Sequence, residues 1–295
     1  MSVSKRGRSA GWINLLYLPA LMLFGLFILY PFVRGLQYSF TNWNGFSQEY
    51  DWIGFRNYDR LLHDPDISKV IKNTFIYGLG STLFQNILGL AYALFLHQKI
   101  RIKGLTRTMV YLPAIISPLI MGYIWYFFFQ YNGGAINDIV KLFGGEQQNL
   151  LGDPTLNVWI ITFVNIYQYV GISMVIFLAG LQTIPSDYYE AATIDGASVL
   201  KRFRFVTWPL LAPSLTISVV LNVIGGLQLF DVIKAMTNSG PGYASASLSS
   251  LMYLLYFGRE DAGYASAIGN VMFLMITVIS ITILFVLKRR EVSPT

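Results

Sequence analysis

Six polar side chains interrupt two strongly apolar stretches in the second half of the sequence. They are Asn165, Gln168, Tyr169, Asn222, Gln228 and Asp231. Amide groups offer both hydrogen-bond donors and acceptors, and an aromatic ring can cover the apolar face of a pyranose. Inside an apolar stretch, these residue types therefore favour a path for a hydroxyl-rich ligand.

A simpler interpretation is open for the same residues. Asparagine and glutamine within a membrane commonly form hydrogen bonds between helices, each worth about 0.6 to 2 kcal/mol. The residue types are compatible with either role.

The polar segment between these two stretches predicts a surface helix over about residues 185–202. Ser186 or Asp187 can cap its first free N–H groups, and Asp187 and Glu190 lie in its first turn, where the helix dipole favours carboxylates. Four small residues would let another protein approach closely: Ala191, Ala192, Gly196 and Ala197. This pattern suits a helix that binds in a groove of a partner protein, and equally an ordinary helix that lies on lipid headgroups.

Catalytic and metal chemistry find no support in the sequence. Cysteine is absent, and His63 and His97 stand alone without a second metal ligand nearby. No Ser/His/Asp grouping has a workable spacing. No Gly-x-x-x-x-Gly-Lys-Ser/Thr segment is present to cradle a nucleotide. We expect no catalytic residue, no metal and no cofactor on this chain.

The composition is that of a membrane protein. Apolar residues make up 54% of the 295 residues and charged residues only 12%, and the mean hydropathy is +0.52. Six stretches are long and apolar enough to cross a bilayer as helices. They are residues 12–32, 70–96, 109–130, 158–182, 211–233 and 265–287. We predict an all-α membrane protein with six transmembrane helices and with the helix of residues 185–202 between the fourth and the fifth.

Basic residues flank alternate ends of these stretches. They are Lys5, Arg6, Arg8, Lys99, Arg101, Lys103, Arg107, Lys201, Arg202, Arg204, Lys288, Arg289 and Arg290, 13 of the 21 basic residues, and only four of the 15 acids accompany them. Because positive residues are retained on the cytoplasmic side, both termini and the predicted surface helix are expected there. The net charge of +6 lies in these short clusters, which does not indicate nucleic-acid binding.

One motif in the surface helix has a recognisable spacing. Glu190-Ala191-Ala192, then Gly196, then Pro209 fit the signature of the inner-membrane permeases of binding-protein-dependent ABC importers, particularly the maltose and multiple-sugar type. Val206 and Trp208 replace the usual Ile and Leu. The resemblance covers nearly the whole chain. It includes Tyr38-Ser39-Phe40-Thr41-Asn42-Trp43 and Gly54-Phe55-Arg56-Asn57-Tyr58 near the start, and Thr237-Asn238-Ser239-Gly240-Pro241 and Gly263-Tyr264-Ala265-Ser266-Ala267 further on.

The resemblance implies a coupling helix that inserts into a groove on a cytoplasmic ATPase. Glu190 would pair with a basic residue or backbone donors there, and Gly196 would permit close packing. The residues it assigns to coupling are Glu190, Ala191, Ala192, Asp195, Gly196 and Pro209. Asn165 corresponds to a sugar-contacting position, and Gln228 lies near another.

The resemblance also implies partners and a location. We expect a second permease subunit in a heterodimer, two copies of an ATPase that uses ATP and magnesium, and an extracellular or periplasmic sugar-binding protein. The chain would lie in the lipid of the bacterial cytoplasmic membrane. Residues 1–69 would form the first helix and an external segment, and residues 70–295 the permease domain.

Two alternatives to a carbohydrate importer are open. A glycerol-phosphate-type ABC permease would need basic side chains along its path, and none lies deep in the predicted spans. An ion-coupled secondary transporter would need a carboxylate near mid-membrane, where only Asp231 comes close.

Overall fold

The computed structural model describes residues 17–98, 101–289 and 291. This part of the chain is helical, with one isolated antiparallel bridge between Thr41 and Trp52. Its helices are α1 (Leu18–Tyr38), α2 (Arg56–His63), α3 (Pro65–His97), α4 (Lys103–Ile115), α5 (Pro118–Phe129), α6 (Ala135–Leu142), α7 (Leu156–Gln182), α8 (Ser186–Ile194), α9 (Val199–Leu210), α10 (Ala212–Leu227), α11 (Asp231–Met236), α12 (Leu248–Gly258) and α13 (Ala262–Lys288).

Four helices are long and apolar enough to cross a membrane singly: α1, α3, α7 and α13. Two further candidates are bent pairs, α4 with α5 at 100° and α9 with α10 at 64°. By length and composition, residues 17–98, 101–289 and 291 therefore include four helices that could cross a membrane, or up to six if each bent pair is one span. The predicted all-α membrane class is confirmed.

The third predicted span, residues 109–130, is wrong as a continuous helix. α4 ends at Ile115, and Ile116 and Ser117 are extended before Pro118 begins α5. The cause is local, because proline lacks an N–H group and disfavours helical geometry in the residue before it. Gln168 of α7 donates a hydrogen bond to the Ile116 carbonyl at 3.0 Å and so satisfies a group exposed by the break.

The fifth predicted span, residues 211–233, also divides. α10 ends at Leu227, and a non-helical turn precedes α11, which begins at Asp231. Gly225 and Gly226 immediately precede this end, and two adjacent glycines lower helix propensity. The turn places Gln228 outside the helix.

The first predicted span, residues 12–32, is displaced toward the C-terminus. Residues 12–16 lie outside the described part of the chain, and α1 continues to Tyr38. Lys5, Arg6, Arg8, Lys99 and Arg290 of the predicted inner clusters also lie outside it.

The chain forms two compact units, residues 1–63 with 252–271, and residues 64–251 with 272–295. In the first unit, the segment after α1 is bound to the start of α13. The Gly263 N–H donates to the Trp43 carbonyl at 2.8 Å, and Arg60 forms an ion pair with Asp261 at 2.6 Å. The predicted boundary between residues 69 and 70 does not coincide with this division and stays a prediction.

In the second unit, glycines bring α3, α4, α7 and α10 close to one another. A Cβ atom at Gly89 would lie 2.5 Å from the Ser173 Cβ, and one at Gly171 would lie 2.5 Å from the Val110 carbonyl oxygen. Gly226 of α10 approaches the Tyr77 carbonyl in the same way. Small residues let helix backbones approach closely in a membrane, where the hydrophobic effect does not drive helices together.

The close contact at Gly89 predicts a position-specific effect of an added methyl group. Gly89→Ala should lower the free energy of unfolding by about 1–3 kcal/mol, because α3 and α7 must separate. Gly80→Ala lies in the same helix, and its added Cβ would meet only Ile76 Cγ2 at 3.9 Å, so this control should be neutral or slightly stabilising. Thermal unfolding of the purified chains in detergent measures both, and equal effects would contradict the packing argument.

Candidate functional site

The segment that follows α7 forms two helices instead of the single one predicted over residues 185–202. α8 and α9 are separated by residues 195–198. The predicted caps at Ser186 or Asp187 are wrong, because both residues lie within the first turn of α8 and Pro185 occupies the N-cap position without a side-chain cap. Asp187 lies in the first turn of α8, where the helix dipole favours a carboxylate. The prediction that Glu190 shares this turn is wrong, because Glu190 is the fifth residue of α8.

Gly196 ends α8 through its backbone conformation. Its φ is +71°, and the N–H groups of Gly196 and Ala197 bond to the carbonyls of Thr193 and Ala192 at 3.0 and 2.9 Å. This is the Schellman arrangement, which favours glycine because a left-handed φ strains other residues. No atom of the described chain lies within 4 Å of a Cβ placed there, so within this chain Gly196 serves conformation and not close packing.

One side of α8 is attached to α9. The Tyr189 hydroxyl and Thr207 Oγ1 form a hydrogen bond at 3.1 Å, and Thr207 is itself buried. The Arg202 guanidinium donates to Thr193 Oγ1 at 3.2 Å. These two hydrogen bonds hold α8 to α9, although much of the α8 surface is exposed.

The other side of α8 is uncovered. Asp187, Glu190, Ala191 and Asp195 are exposed, and the Glu190 carboxylate forms no hydrogen bond or ion pair with any described residue. Large apolar side chains of this segment are also 70 to 87% exposed: Ile194, Val199, Leu200 and Phe205. An unpaired carboxylate beside exposed apolar side chains is typical of a surface that another protein covers.

A second feature is a cavity of about 390 Å³ between α3, α7 and α10. Most of its surface is apolar, and we call it the polar cavity after the polar side chains that line it. Five of the six polar residues singled out in the sequence line it: Asn165, Tyr169, Asn222, Gln228 and Asp231. Leu221, Gly225 and Phe230 are among the other lining residues, near the break between α10 and α11. The cavity thus offers amide, phenol and carboxylate groups together with apolar surface, as a sugar-sized ligand requires.

Two of these residues also form hydrogen bonds between helices. Asn165 Nδ2 donates to Ser81 Oγ at 3.0 Å, and Asn222 Nδ2 donates to Ser173 Oγ at 2.7 Å. Both side chains are buried, whereas Gln228 and Asp231 are exposed. Asn165 and Asn222 therefore fit the interpretation as hydrogen bonds between helices. Gln228 is more accessible to a ligand.

Gln168 does not line the cavity. Its side chain is fully buried, and it bonds to the carbonyl at the α4–α5 break. Gln168 is thus placed to support the fold, whereas the other five polar residues singled out in the sequence line the cavity.

Gln85 lines the cavity and was missed. It donates from Nε2 to the Asn165 carbonyl at 3.0 Å, and its buried Oε1 has no hydrogen-bond partner among the described residues. The same signal that singled out Asn165, an amide inside an apolar stretch, was present at Gln85.

Comparison with known proteins gives the class of this chain. Residues 85–290 match the family described as binding-protein-dependent transport system inner membrane component. A probable starch degradation products transport system permease of Thermoanaerobacterium thermosulfurigenes is 32% identical over 96% of both chains. A multiple sugar-binding transport system permease of Streptococcus mutans is 34% identical, again over 96% of both.

A solved structure shares the fold. A bacterial ABC transporter involved in the import of the acidic polysaccharide alginate matches with a TM-score of 0.84, at 24% identity over 96% of each chain. The family match and the two relatives together give the class, a membrane component of a transport system. The chain belongs to the family of inner-membrane components of binding-protein-dependent transport systems, and the predictions of a permease and of a non-enzymatic transport subunit are confirmed.

The backbone of Gly196 predicts how substitutions there act. Gly196→Val should loosen the end of α8 by about 1 kcal/mol or more, because a branched side chain is strained at positive φ. Trypsin cleavage after Lys201 or Arg202 should become at least about fivefold faster, since cleavage follows the open population. Gly196→Asn should stay closer to wild type, because asparagine tolerates this conformation.

Ala197→Val is the matched control. It places the same side chain one residue further on, where φ is not positive. Equal acceleration of cleavage by both valines would contradict the conformational role of Gly196.

Proposed function

We propose that this chain is the transmembrane permease subunit of an ATP-driven ABC importer that carries a carbohydrate, an oligosaccharide, across the bacterial cytoplasmic membrane. The observation that carries the proposal is family membership together with relatives named for starch degradation products and for multiple sugars. The proposed topology has six transmembrane helices, with each bent pair as one span and both termini in the cytoplasm. The basic clusters support this orientation.

The uncovered side of α8 supports coupling to a separate ATPase. In the proposed complex, Glu190 pairs with a basic residue or backbone donors in the ATPase groove, and Ala191, Ala192 and Asp195 line the contact. Pro209 lies within α9, just before the bend toward α10. ATP and magnesium are bound and used by that ATPase, of which two copies serve two permeases.

Reversing the charge of Glu190 tests this contact. Glu190→Lys should abolish coupled hydrolysis and transport while the membrane subunits stay folded, because breaking a buried charge pair costs about 2–5 kcal/mol. The measurement is substrate-stimulated ATP hydrolysis by the complex purified with its co-encoded partners, with assembly checked in each case.

Glu146→Lys is the control, since it makes the same change at an exposed acid in the connection after α6. If no ATPase co-purifies and Glu190→Lys transports normally, both the coupling helix and the importer mechanism are wrong.

The polar cavity is proposed as this subunit's part of the substrate path. It holds one carboxylate, Asp231, and no basic side chain, which favours a neutral sugar over a glycerol phosphate cargo. The path is completed by a second permease in a heterodimer, and an extracellular or periplasmic sugar-binding protein delivers the substrate, in keeping with the family description.

An ion-coupled secondary transporter is the rival mechanism from another class. It would use Asp231, the one carboxylate of the cavity, as its ion or proton site. Uptake that resists orthovanadate would favour this rival over the importer.

The different accessibility of the cavity residues predicts different mutant behaviour. Gln228→Ala should raise the KM for transport about 2- to 12-fold, the equivalent of one lost hydrogen bond, and should leave thermal stability unchanged. Asn165→Ala should lower transport and also lower stability by about 0.6 to 2 kcal/mol, because it removes the bond to Ser81. Transport kinetics and thermal unfolding are measured on the same preparations.

Gln168→Ala is the matched control, since Gln168 lies outside the cavity and should affect stability alone. Wild-type affinity and rate in Asn165→Ala would exclude its contact with the sugar, and an unaltered KM in Gln228→Ala would exclude Gln228.

A further inference from the structure

A second polar cavity, of about 460 Å³, lies at the end of the bundle where α3 and α7 terminate and α4 begins. Three basic residues line it, His97, Lys103 and Arg107, together with Gln182. Leu96 and Leu178, both buried, form its apolar floor. The path proposed above uses none of these residues.

No acidic residue lines this cavity. In the described part of the chain, neither Lys103 nor Arg107 has a carboxylate within ion-pair distance. The two side chains are four residues apart on α4 and so lie on the same face of that helix. Two adjacent cations without a counter-ion in a concave site attract an anion.

The backbone of α4 adds to this attraction. The helix has 13 residues, and its N-cap residue Ile102 provides no side-chain cap. Lys103 and Gly104, the first two residues of α4, both line the cavity. Free N–H groups at a helix start and the positive end of the helix dipole favour phosphate or carboxylate groups.

The surface around the cavity distinguishes a lipid from a free anion. Ile102, Leu105, Met109 and Leu112 of this region are 53 to 65% exposed. Exposed apolar side chains next to basic ones, at the end of a membrane bundle, match the boundary between acyl chains and headgroups. A free phosphate would need the charges but not this apolar surround.

We propose that this cavity binds the phosphate headgroup of an anionic phospholipid, held by Lys103 and Arg107 and by the start of α4, with Gln182 as a further donor. Because α8 follows α7 after only three residues, the lipid would lie beside the base of the coupling segment. Its assignment to the cytoplasmic leaflet rests on the proposed function, whereas binding itself does not.

The test is native mass spectrometry of the purified full-length chain, delipidated and titrated with phosphatidylglycerol, with phosphatidylcholine or with inorganic phosphate. Wild type should retain phosphatidylglycerol in preference to phosphatidylcholine, and inorganic phosphate should not displace it. Lys103→Gln/Arg107→Gln should weaken phosphatidylglycerol binding roughly 25-fold, at about fivefold for each charge.

Lys69→Gln/Lys72→Gln is the matched control, with the same loss of charge at the other end of α3, and should bind like wild type. Gln182→Glu is a second variant of nearly unchanged shape that keeps the test open if the double variant misfolds. Its new carboxylate should repel the phosphate and weaken binding.

Three outcomes would overturn the proposal. They are unchanged phosphatidylglycerol binding in the Lys103/Arg107 and Gln182 variants, equal binding of phosphatidylcholine, and displacement by inorganic phosphate, which would indicate a free-anion site. The readout uses no ATPase and no sugar, so a failure of the proposed transport function leaves it intact.

Discussion

The close approach of α7 to its neighbours is the constraint on which the rest of the second unit depends. Gly89 and Gly171 bring the backbones of α3 and α4 against α7 at distances that no Cβ would allow. At that separation short polar side chains reach across, as Asn165 does to Ser81 and Asn222 to Ser173. Such pairs are expected in a membrane, where an unsatisfied polar group is costly.

The breaks in the apolar helices follow from the same requirement. A helix can end inside a membrane only where its freed backbone groups meet protein or water. Gln168 meets the freed carbonyl of Ile116, and the turn after α10 opens on the polar cavity. Discontinuous helices that line a cavity are a recurrent way to place polar backbone and side chains near a transported substrate.

The sequence predicts the long helices well and the irregular parts poorly. The fourth span, predicted at residues 158–182, is found at Leu156–Gln182, because an unbroken apolar stretch of this length has one low-energy form in lipid. Average hydropathy does not register a bend, so it predicts the third and fifth spans as continuous helices. Pro118 carried the signal for one break and Gly225-Gly226 for the other.

The candidate site was predictable by residue type and less so by geometry. The amides in the apolar stretches mostly line one cavity. The spacing of the residues in the sequence does not distinguish Gln228, which is accessible, from Gln168, which is buried and bonded to a backbone carbonyl. That difference depends on tertiary contacts. Likewise, the motif identifies Gly196 in the sequence, but only the structure shows its positive φ and the two helices that it separates.

The two candidate surfaces are joined by covalent and packed connections. α7 is unbroken over 27 residues, about 40 Å at 1.5 Å per residue; it contributes Asn165 and Tyr169 to the cavity and ends three residues before α8. On the other side, Tyr189 holds α8 to Thr207 of α9, and α9 continues through a 64° bend into α10, which contributes Asn222. Coupling between distant sites needs such rigid elements with discrete arrangements. If the proposed binding of an ATPase displaces α8, the displacement reaches both walls of the cavity, one through a straight helix and one through a bend. Hinges are formed by a few residues at the ends of elements that absorb changes in backbone angle, so the wall formed by α10, beyond the bend, is the one expected to move relative to α7.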